Sequence, residues 1–292
     1  MHQVMLVSCN ITKDIGKCTD DKKLIHLAQL IYDHFIHLFE FAPSQTPESS
    51  FLTSDLSFDT LKAEESPMDQ RTAKVHALIR DKFRCVVTSA IDSTAYHNQR
   101  QLVAEALDKN LSVFSTKAAY IFPASISKGI SGEDNLKPED VVNAQTIVNH
   151  LSGYDIKQEL DDIKIHHLEN ILTLAVHVHA MFNRLDLWFE EMDTHHDMQH
   201  TYQVCGDPQT IRALPPTVTF TTDDPLHLPL PSPHYLGIHA ACCKVAWLSG
   251  AKDYIEKTFG DMEEIQAMAS DGSSAEALHC ALIHALPSEP VF

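Results

Sequence analysis

The strand-forming segments of this chain are few and short, and each is soon stopped by turn chemistry or proline. Phe83-Arg84-Cys85-Val86-Val87-Thr88-Ser89 is apolar and β-branched and ends in a turn. Lys117-Ala118-Ala119-Tyr120-Ile121-Phe122-Pro123 is closed by proline, and Asn170-Ile171-Leu172-Thr173-Leu174 leads into a helical pattern. Such segments predict small sheets set among helices, an α+β class. Met1 to Val7 reads as a further first strand. Leu185 to Glu190 and Thr201 to Val204 read as a hairpin around a polar loop.

Helical spacing fills much of the rest. Leu24, Leu27, Ile31, Phe35, Leu38 and Phe39 recur at three- and four-residue steps over 22–40, with Asp20 or Asp21 as cap. Further helices are expected over 69–82, 97–108, 175–184, 232–255 and 275–286. Residues 215–233 hold six of the fourteen prolines and predict extended, irregular chain. The domain reading is an N-terminal strand and amphipathic helix over 1–41 and a Ser/Thr/Pro/Glu-rich linker over 42–68. The main domain follows over 69–259, and an acidic tail over 260–292.

Charge narrows the partners. The 292 residues carry 22 Lys or Arg against 40 Asp or Glu, which excludes a wholesale nucleic-acid coat. Residues 71–134 reverse the balance, with nine basic against six acidic groups, and leave room for a local basic cleft. The seven cysteines form no Cys-x-x-Cys pair, so a zinc ribbon or disulfide framework is not expected. No apolar run is long enough to span a bilayer, and the N-terminus lacks a basic stretch and a secretory core. The expected location is intracellular, cytoplasmic or nuclear.

In order and spacing, Cys85-Val86-Val87-Thr88, Ala119-Tyr120-Ile121-Phe122-Pro123 and Asn170-Ile171-Leu172 followed by His179-Ala180-Met181-Phe182 resemble the HNH nuclease family. Leu185 to Glu190, Pro215 to Phe220, Leu228 to Pro233 and His239-Ala240-Ala241-Cys242-Cys243 are similar to a fungal subgroup of that family. The resemblance covers about 70–257 and implies a helix-rich α+β fold around a ββα-metal motif, with a β-hairpin and a C-terminal helix. It implies a metal-dependent phosphodiesterase, in which a base activates water and a divalent ion (Mg, Mn or Zn) steadies the leaving oxygen. Carried over, Asn170 holds the loop of the base, His179 binds the metal, and Tyr120 stands where the family has its general-base histidine. Ala119 stands before it, and Ser89 takes the place of a glycine after Thr88.

A phenol titrates near 10 and accepts protons poorly at neutral pH. His177 is a further metal-ligand candidate if it precedes the first helical turn; His166 and His167 are candidates to replace the base. His195, His196 and His200 have a zinc-like spacing within the expected hairpin loop. Lys117, Lys128, Arg100 and Arg184 are the cations nearest the motif. Two functions stay open. One is a nuclease with a departed active site. The other is a repurposed or degenerate HNH fold that binds a small molecule or a partner. Oligomeric state is not legible.

Overall fold

The computed structural model describes residues 2–39, 69–123, 126, 144–160, 163–192 and 200–252. The expected linker over 42–68, the acidic tail, the helix over 275–286, Lys128, His195 and His196 lie outside the described residues. The chain separates into two units, Met1–Cys243 and Lys244–Phe292. In the described part of the second unit, residues 244–252, the chain is helical up to Ser249, turns at Gly250 with φ +76°, and is helical again at 251–252. Among the described residues no helix is long and apolar enough to cross a membrane.

The first unit opens on α1 (His2–Lys17), where a strand was expected. Tertiary packing overrides the strand propensity of Val4 and Val7. Gln3, Val7, Asn10 and Asp14 recur at helical spacing. Asn10 Nδ2 donates to the carbonyls of His150 and Leu151, and Asp14 meets His150 at 2.7 Å. Next come α2 (Asp21–Ile31), a π turn (Tyr32–Ile36) and α3 (His37–Phe39), which together answer the helix expected over 22–40. Asp20 is the cap and accepts from Lys23 N at 3.0 Å.

Helix α4 (Gln70–Arg80) is capped by Asp69, whose carboxylate and backbone exchange bonds with Thr72. It is buried on nearly every side, Lys74 and His76 included. The strand expected at 83–89 is instead a chain of turns. Lys82 and Phe83 take left-handed φ of 53° and 59°, and Phe83 N caps the helix through Leu78 O at 2.7 Å. The next turn closes between Cys85 N and Ala90 O at 2.9 Å, so only an Arg84–Ile91 bridge remains of a ladder.

Strand β1 (Ile91–Asp92) pairs in parallel with β2 (Val113–Phe114), with α5 (Ser93–Asn98) and α6 (Arg100–Lys109) between them. Strand β3 (Thr116–Tyr120) follows. Then come α7 (Ala144–Ser152), against which α1 packs, and α8 (Ile156–Glu159). Strand β4 (Ile171–Ala175) pairs antiparallel with β3 and runs straight into α9 (Val176–Asn183). The expected hairpin forms as β5 (Leu187–Glu191) and β6 (Thr201–Gly206). Part of the proline-rich stretch, expected to be irregular, is β7 (Thr217–Thr219), an edge strand on β6. Proline is tolerated at such an edge, and Pro216 still offers its carbonyl to Val204 N at 2.9 Å.

Helix α10 (Pro233–Ser249) begins in the first unit, with proline at its first position. Gly237 lets α1 approach, since a Cβ there would meet Gln3 Cβ at 2.8 Å. His239 is fully buried and stacks on Phe182 at 4.0 Å. The α+β class is as expected: among the described residues helices carry the larger share, and the sheets have two or three strands.

Arg80, at the end of α4, has 1 % of its surface exposed. It grips the Asp81 carboxylate with Nε and Nη2 at 2.8 and 2.9 Å. Its remaining N–H groups reach Leu168 O at 2.8 Å, Ile171 O at 2.8 Å and Pro229 O at 3.2 Å. Arg80→Met leaves the buried Asp81 carboxylate without its cation and removes the side-chain bonds to three carbonyls. It is expected to cost about 3–5 kcal/mol in urea denaturation; a loss below about 1 kcal/mol would contradict this role. Ser89 holds φ +58°, so Ser89→Gly is expected to raise stability by up to about 1 kcal/mol in the same assay.

Candidate active site

The β3–β4 ribbon and α9 form a ββα unit. Register pairs Thr116 with Ala175, Ala118 with Thr173 and Tyr120 with Ile171. Side chains alternate along β3. Ala118 and Tyr120 share one cluster with Ala73, Ala77, Leu168 and Ile171, which fixes the α4 face of the ribbon. Lys117 and Ala119 turn to the other side. The Cys85–Ala90 turn docks on the ribbon through Val86 N to Thr173 O at 2.9 Å. Asp92 ties β1 to β3 by accepting from Thr116 N at 3.2 Å and Oγ1 at 2.7 Å.

Asn170 stands just before β4 and is wholly buried. Its Oδ1 accepts from Phe122 N at 2.8 Å; its Nδ2 donates to Phe122 O and Ile165 O, each at 3.0 Å. One amide therefore locks the exit of β3 to the turn that carries His166. No aliphatic side chain could supply that mix of donor and acceptor.

Tyr120 lies at the end of β3, half-buried. Its Oη is 2.9 Å from His166 Nδ1, and the two rings meet edge to face at 5.8 Å. Burial, with the Asp69 charge adding to it, pushes the Tyr120 hydroxyl well above the ordinary phenol range, so it keeps its proton. Burial pulls His166 below the ordinary histidine value, and His167 adds to this while Asp69 opposes it. His166 is thus a neutral imidazole at pH 7, on the hydroxyl of the residue where the resemblance asks for an imidazole. Its substitute role was one of several open readings in the sequence. Asp69, by contrast, stands there only as the first residue of the helix expected over 69–82.

His179 sits on α9 and is buried. Burial first, then the Lys117 ammonium, push it down to about 4, so it is neutral and keeps a lone pair. His177 lies inside α9 rather than before its first turn. It is exposed and meets Phe114 edge to face at 5.3 Å. Residues two apart on a helix do not face each other, so the His177–His179 pairing expected for a metal does not form. Ala119, wholly buried, offers no ligand. Among the described residues no group of three His, Cys, Asp or Glu could hold a metal ion. A divalent ion beside His179 would also meet the Lys117 charge. The described residues therefore do not fit the metal that the resemblance implies.

Other candidates fall away from the site. Cys85 is buried and its sulfur accepts from Thr88 N at 3.4 Å, a packing role inside the turn. Arg100 and Arg184 are exposed. Among the described residues, Lys117 on β3 and Lys74 on α4 are two cations near the ribbon besides Arg80. Lys74 is buried and pulled below the usual lysine range by that burial, with Asp92 opposing and Lys117 adding to the shift. Nothing in the α4 sequence flags Lys74, because its burial depends on how the helix is surrounded.

Residues 85–190 match the family model described as HNH endonuclease. No curated protein and no solved structure matches the chain.

The buried histidines set the acid limb of stability. His179 and His239 sit at about 4 and about 3 in the folded chain, both chiefly through burial. Unfolded, each titrates near 6.5. As pH falls below 6.5 the unfolded chain takes up protons that the folded chain refuses, and stability drops until the folded values are reached. Urea midpoints are expected to fall steadily from pH 7 to pH 4.5. The fall is expected to be shallower in His239→Phe. A flat profile in wild type would contradict the burial of both rings.

Proposed function

We propose, on the premise that residues 85–190 belong to the HNH endonuclease family, that the chain acts on nucleic-acid phosphodiesters at the end of β3, through a centre that departs from the family pattern. Tyr120 and Asn170 are its proposed working residues at the strand end, with His179 on α9, near Lys117. The observation that carries this reading is the Asn170 clamp. It binds Phe122 and Ile165 at 2.8–3.0 Å, which supports the loop-holding role that the resemblance implies for this asparagine. Lys117 and Lys74 supply positive charge along the ribbon, in the stretch where basic groups outnumber acidic ones. A phosphate diester carries one negative charge and gains from cations near its oxygens. Tyr120 holds its proton and so donates a hydrogen bond rather than accepting a proton.

A second reading is favoured by Ala119 and by the proton that Tyr120 retains. In it the domain binds nucleic acid, or another phosphate-bearing partner, without turnover. The two readings separate in one experiment. Labelled single-stranded and duplex DNA and RNA are incubated with the full chain, with Mg²⁺, Mn²⁺ or Zn²⁺ and with EDTA. Binding is followed by polarisation and cutting by gel. The first reading expects binding and slow cleavage that survives EDTA and is lost in Asn170→Ala. Binding without cleavage selects the second reading. Absence of both contradicts the two together.

A further inference from the structure

The strand end lacks the imidazole that the family's chemistry uses, yet an imidazole is present there. It comes from a different segment, the short turn Lys164–His166. His166 Nδ1 is 2.9 Å from Tyr120 Oη, a hydrogen bond rather than a passing contact. Both partners are anchored by the same amide. Asn170 binds Ile165 O, one residue before His166, and the two backbone groups of Phe122, two residues after Tyr120. The turn is further closed by His166 N to Ile163 O at 3.1 Å and His167 N to Lys164 O at 3.0 Å. His166 is only half-buried, so solvent reaches part of the residue.

We propose that His166 is the general base of this centre, relocated from the strand to the preceding turn, and that Tyr120 orients it. This rests on the reading that the site acts on phosphodiesters. Two tautomers satisfy the hydrogen bond, and only one gives a base. In that tautomer Nδ1–H donates to the Tyr120 oxygen, and Nε2 carries the free lone pair. A water molecule bound at Nε2 loses a proton to it, and its oxygen forms the new bond to phosphorus. The bond from phosphorus to the leaving oxygen breaks, and that oxygen takes its proton from a second water molecule, whose hydroxide recovers a proton from His166 Nε2 and regenerates the base. Tyr120 O–H remains free to donate to a phosphate oxygen.

The charged and titratable groups that face His166 are Asp69, from the start of α4, His167 beside it and Tyr120 from β3. Asp69 favours the imidazolium that forms during the step, as a carboxylate near a working histidine does. Asp69 is therefore a positioning group acting through His166. Its main visible duty, capping α4 through Thr72 N at 2.8 Å, leaves its charge directed at the same region.

The test uses bis(p-nitrophenyl) phosphate, whose leaving group departs without a proton, so that the rate reports the base step alone. Wild type, His166→Gln, His166→Ala and Tyr120→Phe are compared over pH 5–9 with EDTA present, and circular dichroism confirms the fold of each. Wild type is expected to show an acid limb with its midpoint below about 6.5. His166→Gln is expected to lose about 10²–10⁴-fold together with that limb. Added imidazole is expected to restore part of the rate in His166→Ala, which a purely structural role would not allow. Tyr120→Phe is expected to shift the limb. If wild type turns over and His166→Gln keeps its rate and pH profile, the assignment of His166 is overturned and the phosphodiesterase reading stands. If wild type shows no turnover on this ester or on oligonucleotides, both are overturned.

Discussion

A single buried guanidinium holds the site's scaffold together. Arg80 is desolvated, so each of its N–H groups needs a partner, and the structure supplies them all from three places. The Asp81 carboxylate neutralises it from the neighbouring position in sequence. Leu168 O comes from the turn before β4, Ile171 O from the first residue of β4, and Pro229 O from the proline-rich stretch. Helix α4, the turn and that stretch are thereby fixed to one point. A lysine could not replace it, because a single ammonium cannot span carbonyls and a bidentate carboxylate at once.

The same turn is gripped from its other side. Asn170 binds Ile165 O and Phe122, Ser232 N reaches Glu169 O at 2.8 Å, and Ile121 N reaches Asn170 O at 2.9 Å. The backbone between Ile165 and Ile171 thus has little freedom, and the orientation of His166 follows from it. A half-buried, neutral imidazole then stands on a phenol that keeps its proton. On the α9 side, His179 is neutral for the same reason of burial and lies near the Lys117 charge. Both rings are neutral and keep a lone pair, and neither is held as a cation.

Much of the scaffold was legible because it rests on local patterns. The spacing of Leu24 to Phe39 predicted the helices of 21–39, with Asp20 or Asp21 as cap, and the resemblance carried by Cys85, Ala119-Tyr120, Asn170 and His179 implied the ββα unit. What was not legible depends on contacts made across the chain. Met1 to Val7 looks like a strand, since its helical face matters only once α7 is beside it. Phe83 to Ser89 looks like a strand because left-handed φ at Lys82, Phe83 and Ser89 has no signature outside glycine and asparagine. Arg80 gives no signal, since a lone arginine at a helix end usually faces water. The His177–His179 pairing fails on helix phase alone. His166 was visible as a candidate, but its bond to Tyr120 spans 46 residues and no spacing rule reaches that far.

The state of the His166 ring tests the account most directly. Nitrogen-15 NMR of the imidazole, followed over pH 4–9 in wild type and in Tyr120→Phe, reports both its titration and which nitrogen carries the proton. The account predicts a midpoint below the ordinary histidine value, a proton on Nδ1 in the neutral ring, and a clear change in both when the Tyr120 hydroxyl is removed. An ordinary midpoint, with a mixed tautomer indifferent to Tyr120→Phe, would contradict it.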